Sequence, residues 1–172
     1  MSAKLELIDV FTLDVRAAPT SVIVGFVGGT NYGVRSGFRG IEPPGPIQLK
    51  IRQGRKLHDF LFVDGISLVV SEKVVTLFES KKFRGWHKVP ALVRDRQNEP
   101  VSIQYFGIMI TGRAGPQDQS RQHDIRFNPE TWDGTELFLL ADTNTLFVTR
   151  PVAEALGNSD ITGYSVTPIV RS

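Results

Sequence analysis

The side chains with the widest chemical reach are three histidines, His58, His87 and His123. Two stand in His-Asp pairs, His58-Asp59 and His123-Asp124. Neutral imidazole and carboxylate are good ligands for a divalent metal, so a metal-dependent hydrolase could use such pairs. Metal ligands need defined placement on helices or strand ends. One pair only precedes a strand-like segment and the other falls in a polar loop. They read as ordinary surface residues, and no metal or cofactor is expected; the hydrolase stands as the enzyme alternative. "GFVGGTNYG" (25–33) invites a phosphate-loop reading. Its glycines match neither the dinucleotide fingerprint nor the Walker pattern, so a flexible turn is expected. No Ser elbow or paired-carboxylate pattern stands out. With no cysteine, thiolate metal sites, disulfides and cysteine nucleophiles are excluded.

Positive charge collects in the middle of the chain. Residues 51–96 hold ten basic and five acidic side chains, residues 97–172 five basic and nine acidic. Lys50, Arg52, Arg55 and Lys56 lie close together, as do Lys81, Lys82, Arg84 and Lys88 with Trp86 nearby. A nucleic-acid-binding module would use such patches. No nucleic-acid motif accompanies them, however, and the whole-chain charge is only +2. Nucleic acid is not the expected partner and is kept as an alternative. A bipolar chain can hold its halves together by charge or show partners two different faces.

The elements that must position these residues are legible in part. Hydrophobic residues make up 41% and charged residues 22%, as in a soluble globular protein. The start, "MSAKLELIDV", lacks the pattern of a signal peptide. The uncharged run Ala17–Val34 contains Pro19 and four glycines, so it reads as a strand and a Gly-rich loop rather than a membrane span. Within residues 4–16, Leu5, Leu7, Phe11, Leu13 and Val15 share one strand face. Residues 21–27 read as a second strand. Ile47, Leu49 and Ile51 alternate with polar residues in a third. "PVSIQYFGIMITGR" reads as one long central strand, and a polar loop of some 20 residues follows it.

The strongest pattern is internal. Residues 59–92 and 137–170 superpose without a gap, matching Phe60/Phe138, Leu61/Leu139, Asp64/Asp142, Leu68/Leu146, Val70/Val148, Val74/Val152, Gly85/Gly163 and Pro90/Pro168. Each stretch reads as strand, short helix, strand. Ser71 and Thr149 stand at the N-cap positions, with Glu72 and Pro151 in the first turns. Val74, Leu77 and Phe78 form one helical stripe, and Val152, Ala155 and Leu156 the other. Gly157 and Asn158 can end the second helix. Pro90 and Pro168 argue that the last strands are edges or end early. The expected fold is α+β: mixed sheets with short helices and two pseudo-repeated units, at about 59–92 and 137–170, in one domain. Residues 1–56 supply N-terminal strands and the Gly/Pro-rich loop, and 57–96 the first repeat. Residues 97–132 supply the central strand and polar loop, and 133–172 the second repeat.

These repeats resemble a known family. "DFLFVDGISLVVSEKVVTLFESKKFRGWHKVPALV" and "WDGTELFLLADTNTLFVTRPVAEALGNSDITGYSVTPIV" are similar to bacterial polymorphic-toxin immunity proteins. The likeness is to the myxobacterial double-CXXCG group and its cysteine-free relatives, some described only as domains of unknown function. It covers about residues 47–171. This chain departs from the group in lacking cysteine, so any metal knuckle is absent, and "GRAGPQDQSRQHDI" occupies the corresponding place. The resemblance implies a cytoplasmic, non-enzymatic protein that neutralises a cognate toxin by binding it. No catalytic residue, cofactor or membrane partner is implied, and self-association is left open. The candidate partner-binding residues are Arg113 just before the polar loop, Gln117, Asp118, Arg121, Glu130, Trp132 and Asp133 within it, and Glu136 just after it. The acids would steer a basic toxin. Trp132 reads either as an interface anchor or as a core aromatic.

Overall fold

Most apolar runs become strands, and their neighbours decide which sheet each run joins. The computed structural model describes residues 9–27, 43, 45–63, 68–115, 129–141 and 143–169. Gln117, Asp118, Arg121, His123 and Asp124, and most of the Gly-rich loop, lie outside these residues. In chain order the strands are β1 (Val10–Val15), β2 (Ile23–Phe26), β3 (Ile47–Gln53), β4 (Phe60–Val63) and β5 (Leu68–Ser71). Helix α1 (Glu72–Ser80) follows, then β6 (Trp86–Arg94), β7 (Tyr105–Ile110), β8 (Gly112–Ala114), β9 (Leu137–Leu140) and β10 (Leu146–Thr149). Helix α2 (Arg150–Gly157) and β11 (Tyr164–Pro168) complete the set.

The expected α+β class holds, with both sheets mixed. One sheet closes into a six-stranded barrel in the order β2-β3-β6-β7-β5-β4. The other is open, in the order β11-β1-β10-β9-β8. Parallel pairs are β2 with β4, β3 with β6, and β8 with β9; the rest are antiparallel. Val24, Leu49, Leu61, Val69, Val93 and Tyr105 fill the barrel. A second apolar layer lies between the barrel wall, the open sheet and both helices, with Phe60, Val70, Val74, Phe78, Val148 and Leu156 among its members. Phe138 and Phe147 stack at 5.7 Å on the far face of the open sheet. Period-2 alternation explains the sharing: Val69 points into the barrel, while Leu68 and Val70 point to the middle layer.

Each unit is a hairpin, a helix and a strand, with a strand from elsewhere inserted between the last two strands. In the barrel β7 separates β5 from β6; in the open sheet β1 separates β10 from β11. The registers agree residue for residue. Phe106 faces Val70 and Pro90, as Phe11 faces Val148 and Pro168. Ile110 faces Trp86 as Val15 faces Tyr164. β8 also lies parallel beside β9 as β2 lies beside β4. The repeated grammar therefore includes β1/β7 and β2/β8, and each half of the chain sends one strand into the other half's sheet.

Four expectations change. The long central strand breaks at Thr111, because β7 joins the barrel and β8 the open sheet. β6 is not an edge: it runs through Pro90 and pairs with β3 from Ala91 onward, so the proline falls just before that pairing begins. β11 is an edge and does end at Pro168. The gapless match slips by one in the first strand, where Phe60 faces Val70 but Leu137, not Phe138, faces Val148. The second hairpin connection is one residue longer, 141–145 against 64–67. Finally, Ser71 and Thr149 do occupy the N-caps, but neither makes a side-chain cap bond.

Candidate functional site

Of the acidic candidates, Glu136 sits where the two units clasp each other. Glu136, just before β9, accepts the Arg84 backbone N–H at 2.8 Å, and Arg84 Nε and Nη2 donate to the same carboxylate at 3.3 and 3.2 Å. Arg84 Nη2 also donates to the Gly134 carbonyl. This pairing raises the pKa of the Arg84 guanidinium. On the other side Asp59, just before β4, accepts the Thr162 N–H and Oγ1–H at 2.9 and 3.0 Å. Its other oxygen accepts from Ser71 Oγ at 2.7 Å, which is why that hydroxyl does not cap α1. Backbone bonds repeat the symmetry. Leu137 N–H donates to Arg84 and Phe60 N–H to Thr162, at 3.1 and 3.0 Å; Thr111 N–H donates to Gly85 and Arg16 N–H to Gly163, at 2.8 and 2.9 Å.

Asp133 accepts the Arg113 N–H at 2.7 Å and the Thr135 hydroxyl at 2.7 Å, tying the start of the second unit to β8. Arg113 folds back onto the Ile110 and Gly112 carbonyls at 2.7 and 2.8 Å, and burial lowers its pKa. Trp132 donates to the Thr135 carbonyl at 2.9 Å and packs its ring 6.0 Å from Phe138. The ring is partly buried against the far-face cluster. Glu130 is exposed in a short 3-10 turn, Pro129–Thr131. Arg113, Trp132, Asp133 and Glu136 thus converge at one junction.

The histidine pairs do not assemble chemistry among the described residues. Asp59 is committed to the clasp, while His58 Nδ1 and Nε2 are buried without a hydrogen-bond partner. The His58 carbonyl instead accepts from Tyr105 Oη at 2.8 Å. No group of three or more His, Asp and Glu among the described residues is placed to hold a metal. No described helix is long and apolar enough to cross a membrane.

The basic clusters divide. Lys88 pairs with Glu79 at 2.6 Å and Arg84 with Glu136, while the Trp86 ring lies 5.4 Å from Phe78 in the core. Arg52 turns to the Phe26 carbonyl at 3.0 Å. Arg55 and Lys56 remain exposed. At this mouth of the barrel lies an open groove of about 450 Å³, between the β3–β4 connection and the β6–β7 connection. Val22, Ile51, Leu57 and Val101 give it an apolar floor, Arg55 comes from one connection and Arg96 from the other. Arg96 was legible only as one more basic residue, because its place on the same groove as Arg55 depends on how β3 and β6 pair.

Compared with known proteins, the chain matches no family model, and no curated protein matches it. The class that these elements define is structural: an α+β protein in which a mixed six-stranded barrel and a mixed five-stranded sheet share one apolar layer.

Proposed function

We propose that this protein is a cytoplasmic immunity protein that binds a cognate bacterial toxin and neutralises it non-covalently, without cofactor or catalysis of its own. One observation carries the reading. The residues on which the resemblance rests are taken up by the fold: Val70, Val74, Val148 and Val152 are fully buried, and Gly85 and Gly163 make the turns against the opposite unit. Exposed and half-exposed positions differ in charge between the units, as with Glu72 and Arg150, Lys81 and Ser159, and Lys82 and Asp160, while buried differences such as Val69 and Phe147 or Phe78 and Leu156 stay apolar. A scaffold of this kind keeps its core while its surface is free to fit a partner, and tight complementarity is what inhibition by binding requires. Co-expression with the toxin encoded beside it tests the reading. Growth should be rescued and the two proteins should co-purify; failure of both removes it.

A further inference from the structure

The barrel-mouth groove lies apart from the candidate partner-binding residues, and it combines an apolar floor with a basic rim. Its floor is the barrel's own interior brought to the surface: Ile51, Leu57 and Val101 pack against the buried cluster that fills the barrel. Barrel mouths are recurrent binding sites, and the volume falls in the range such sites use. Its rims carry Arg55 and Arg96, both exposed and without a side-chain partner among the described residues. A guanidinium presents a planar fork that suits a carboxylate. The lining carboxylate, Asp95, accepts the Glu99 N–H at 2.8 Å and makes no ion pair with either arginine, so the lining keeps one net positive charge.

From this geometry we infer that the groove is the docking face for a partner protein, and that its occupant is an acidic, aliphatic segment: Asp or Glu side chains for Arg55 and Arg96, with Leu, Ile or Val against the floor. This deepens the immunity reading and, for the toxin as occupant, rests on it. The lining holds no aromatic ring, which single-stranded nucleic acid would need for base stacking. The groove is open along its length, so a free small carboxylate would stay largely solvated, whereas a side chain held on a protein surface would not.

The full chain should be titrated with a six-residue peptide of alternating Asp and Leu, with backbone amide shifts as the readout. Shifts should map to Arg55, Leu57, Arg96 and Val101. Affinity should fall at least tenfold in the Arg55→Glu, Arg96→Glu double variant and be unchanged in Lys81→Glu, Lys82→Glu. Absence of these shifts, or equal affinity in the groove variant, overturns the proposal. Equal or tighter binding of a thymidine oligonucleotide reassigns the groove to nucleic acid; equal binding of hexanoate reassigns it to a small carboxylate. Either result overturns it. In the co-expression assay, rescue by wild type but not by the groove variant supports the toxin as occupant. Rescue by both overturns the docking face and leaves the immunity reading intact. Rescue by neither removes the immunity reading, and the peptide titration then decides the groove by itself.

Discussion

Asp59 and Glu136 do the same job from opposite units: each carboxylate captures the backbone N–H that precedes the other unit's turn glycine. Hydrogen bonds to a charged group contribute more than neutral ones, because the ionised acceptor gains most from a fixed donor. Asp59→Asn weakens three such bonds and should destabilise the fold by about 2 kcal/mol. That is a fall in melting temperature of about 4–8 °C for a chain of this size, measurable by thermal denaturation. Glu136→Gln should cost roughly half as much, since the Arg84 side chain is 64% exposed and its ion pair is screened. Tyr105 sets an alkaline limit. It is 1% exposed, and burial, followed by the nearby Asp59 charge, pushes its phenol pKa up. A raised folded pKa means the contribution is whole below the ordinary phenol value of about 10 and is lost as pH rises through the folded value. Stability should therefore fall above about pH 10 in the wild type. Tyr105→Phe should flatten that fall, leaving a part due to Tyr164, which burial also shifts up. The same change should cost about 1 kcal/mol at neutral pH by orphaning the His58 carbonyl. A denaturant series across pH checks both.

At the scale of elements, local chemistry was readable where it depends on near neighbours. Pro151 in the first turn of α2, its Val152 and Leu156 stripe and its end at Gly157 needed only spacing and propensity, whereas the buried face of α1 is Val74, Val75 and Phe78, with Leu77 only partly buried. The caps were placed correctly but for a different reason: Ser71 is drawn to Asp59, a contact no local rule contains. The turn glycines also mean more than a turn. Gly85 and Gly163 sit at φ +91° and +88°, and a Cβ on Gly85 would strike the Leu137 carbonyl, one on Gly163 the Phe60 carbonyl at 2.6 Å. Left-handed strain of about 1–2 kcal/mol adds to a backbone clash. Gly85→Ala and Gly163→Ala should each cost about 3 kcal/mol or more by the sum of these effects. Gly134, at φ +85° with open space around it, supplies the control: Gly134→Ala should cost only the strain, about 1–2 kcal/mol. Equal losses at all three sites by chemical denaturation would show that the inter-unit contact contributes nothing. The one-residue slip between Phe60 and Leu137 hid in the sequence, because both hairpins begin with runs of apolar residues that match in either register.

For the whole molecule, the consequence of reciprocal strand exchange is that neither half is complete. Without β7 the barrel loses its seam between β5 and β6; without β1 the open sheet loses the strand between β10 and β11. Unpaired strand edges and half-covered apolar faces are unstable in water. Fragments 1–96 and 97–172 should each be unfolded alone and should assemble one-to-one when mixed, read by circular dichroism and size-exclusion chromatography. Independent folding of either fragment would contradict the exchange. The sequence by itself determined what rests on neighbours a few residues apart: α+β class, the two units, their helix faces and turn glycines. It did not reveal that β1 and β7 belong to the repeat, because Phe11 and Phe106 are recognisable as equivalents only once their partners Pro168 and Pro90 are known. Nor did it distinguish acids used by the fold from charges left exposed. Only the tertiary structure decided that Asp133 and Glu136 hold the junction while Arg55 and Arg96 face one groove. The physical reason is that strand pairing and ion pairing are long-range: the residues they join lie tens of positions apart, and no local pattern records the distance across which they meet.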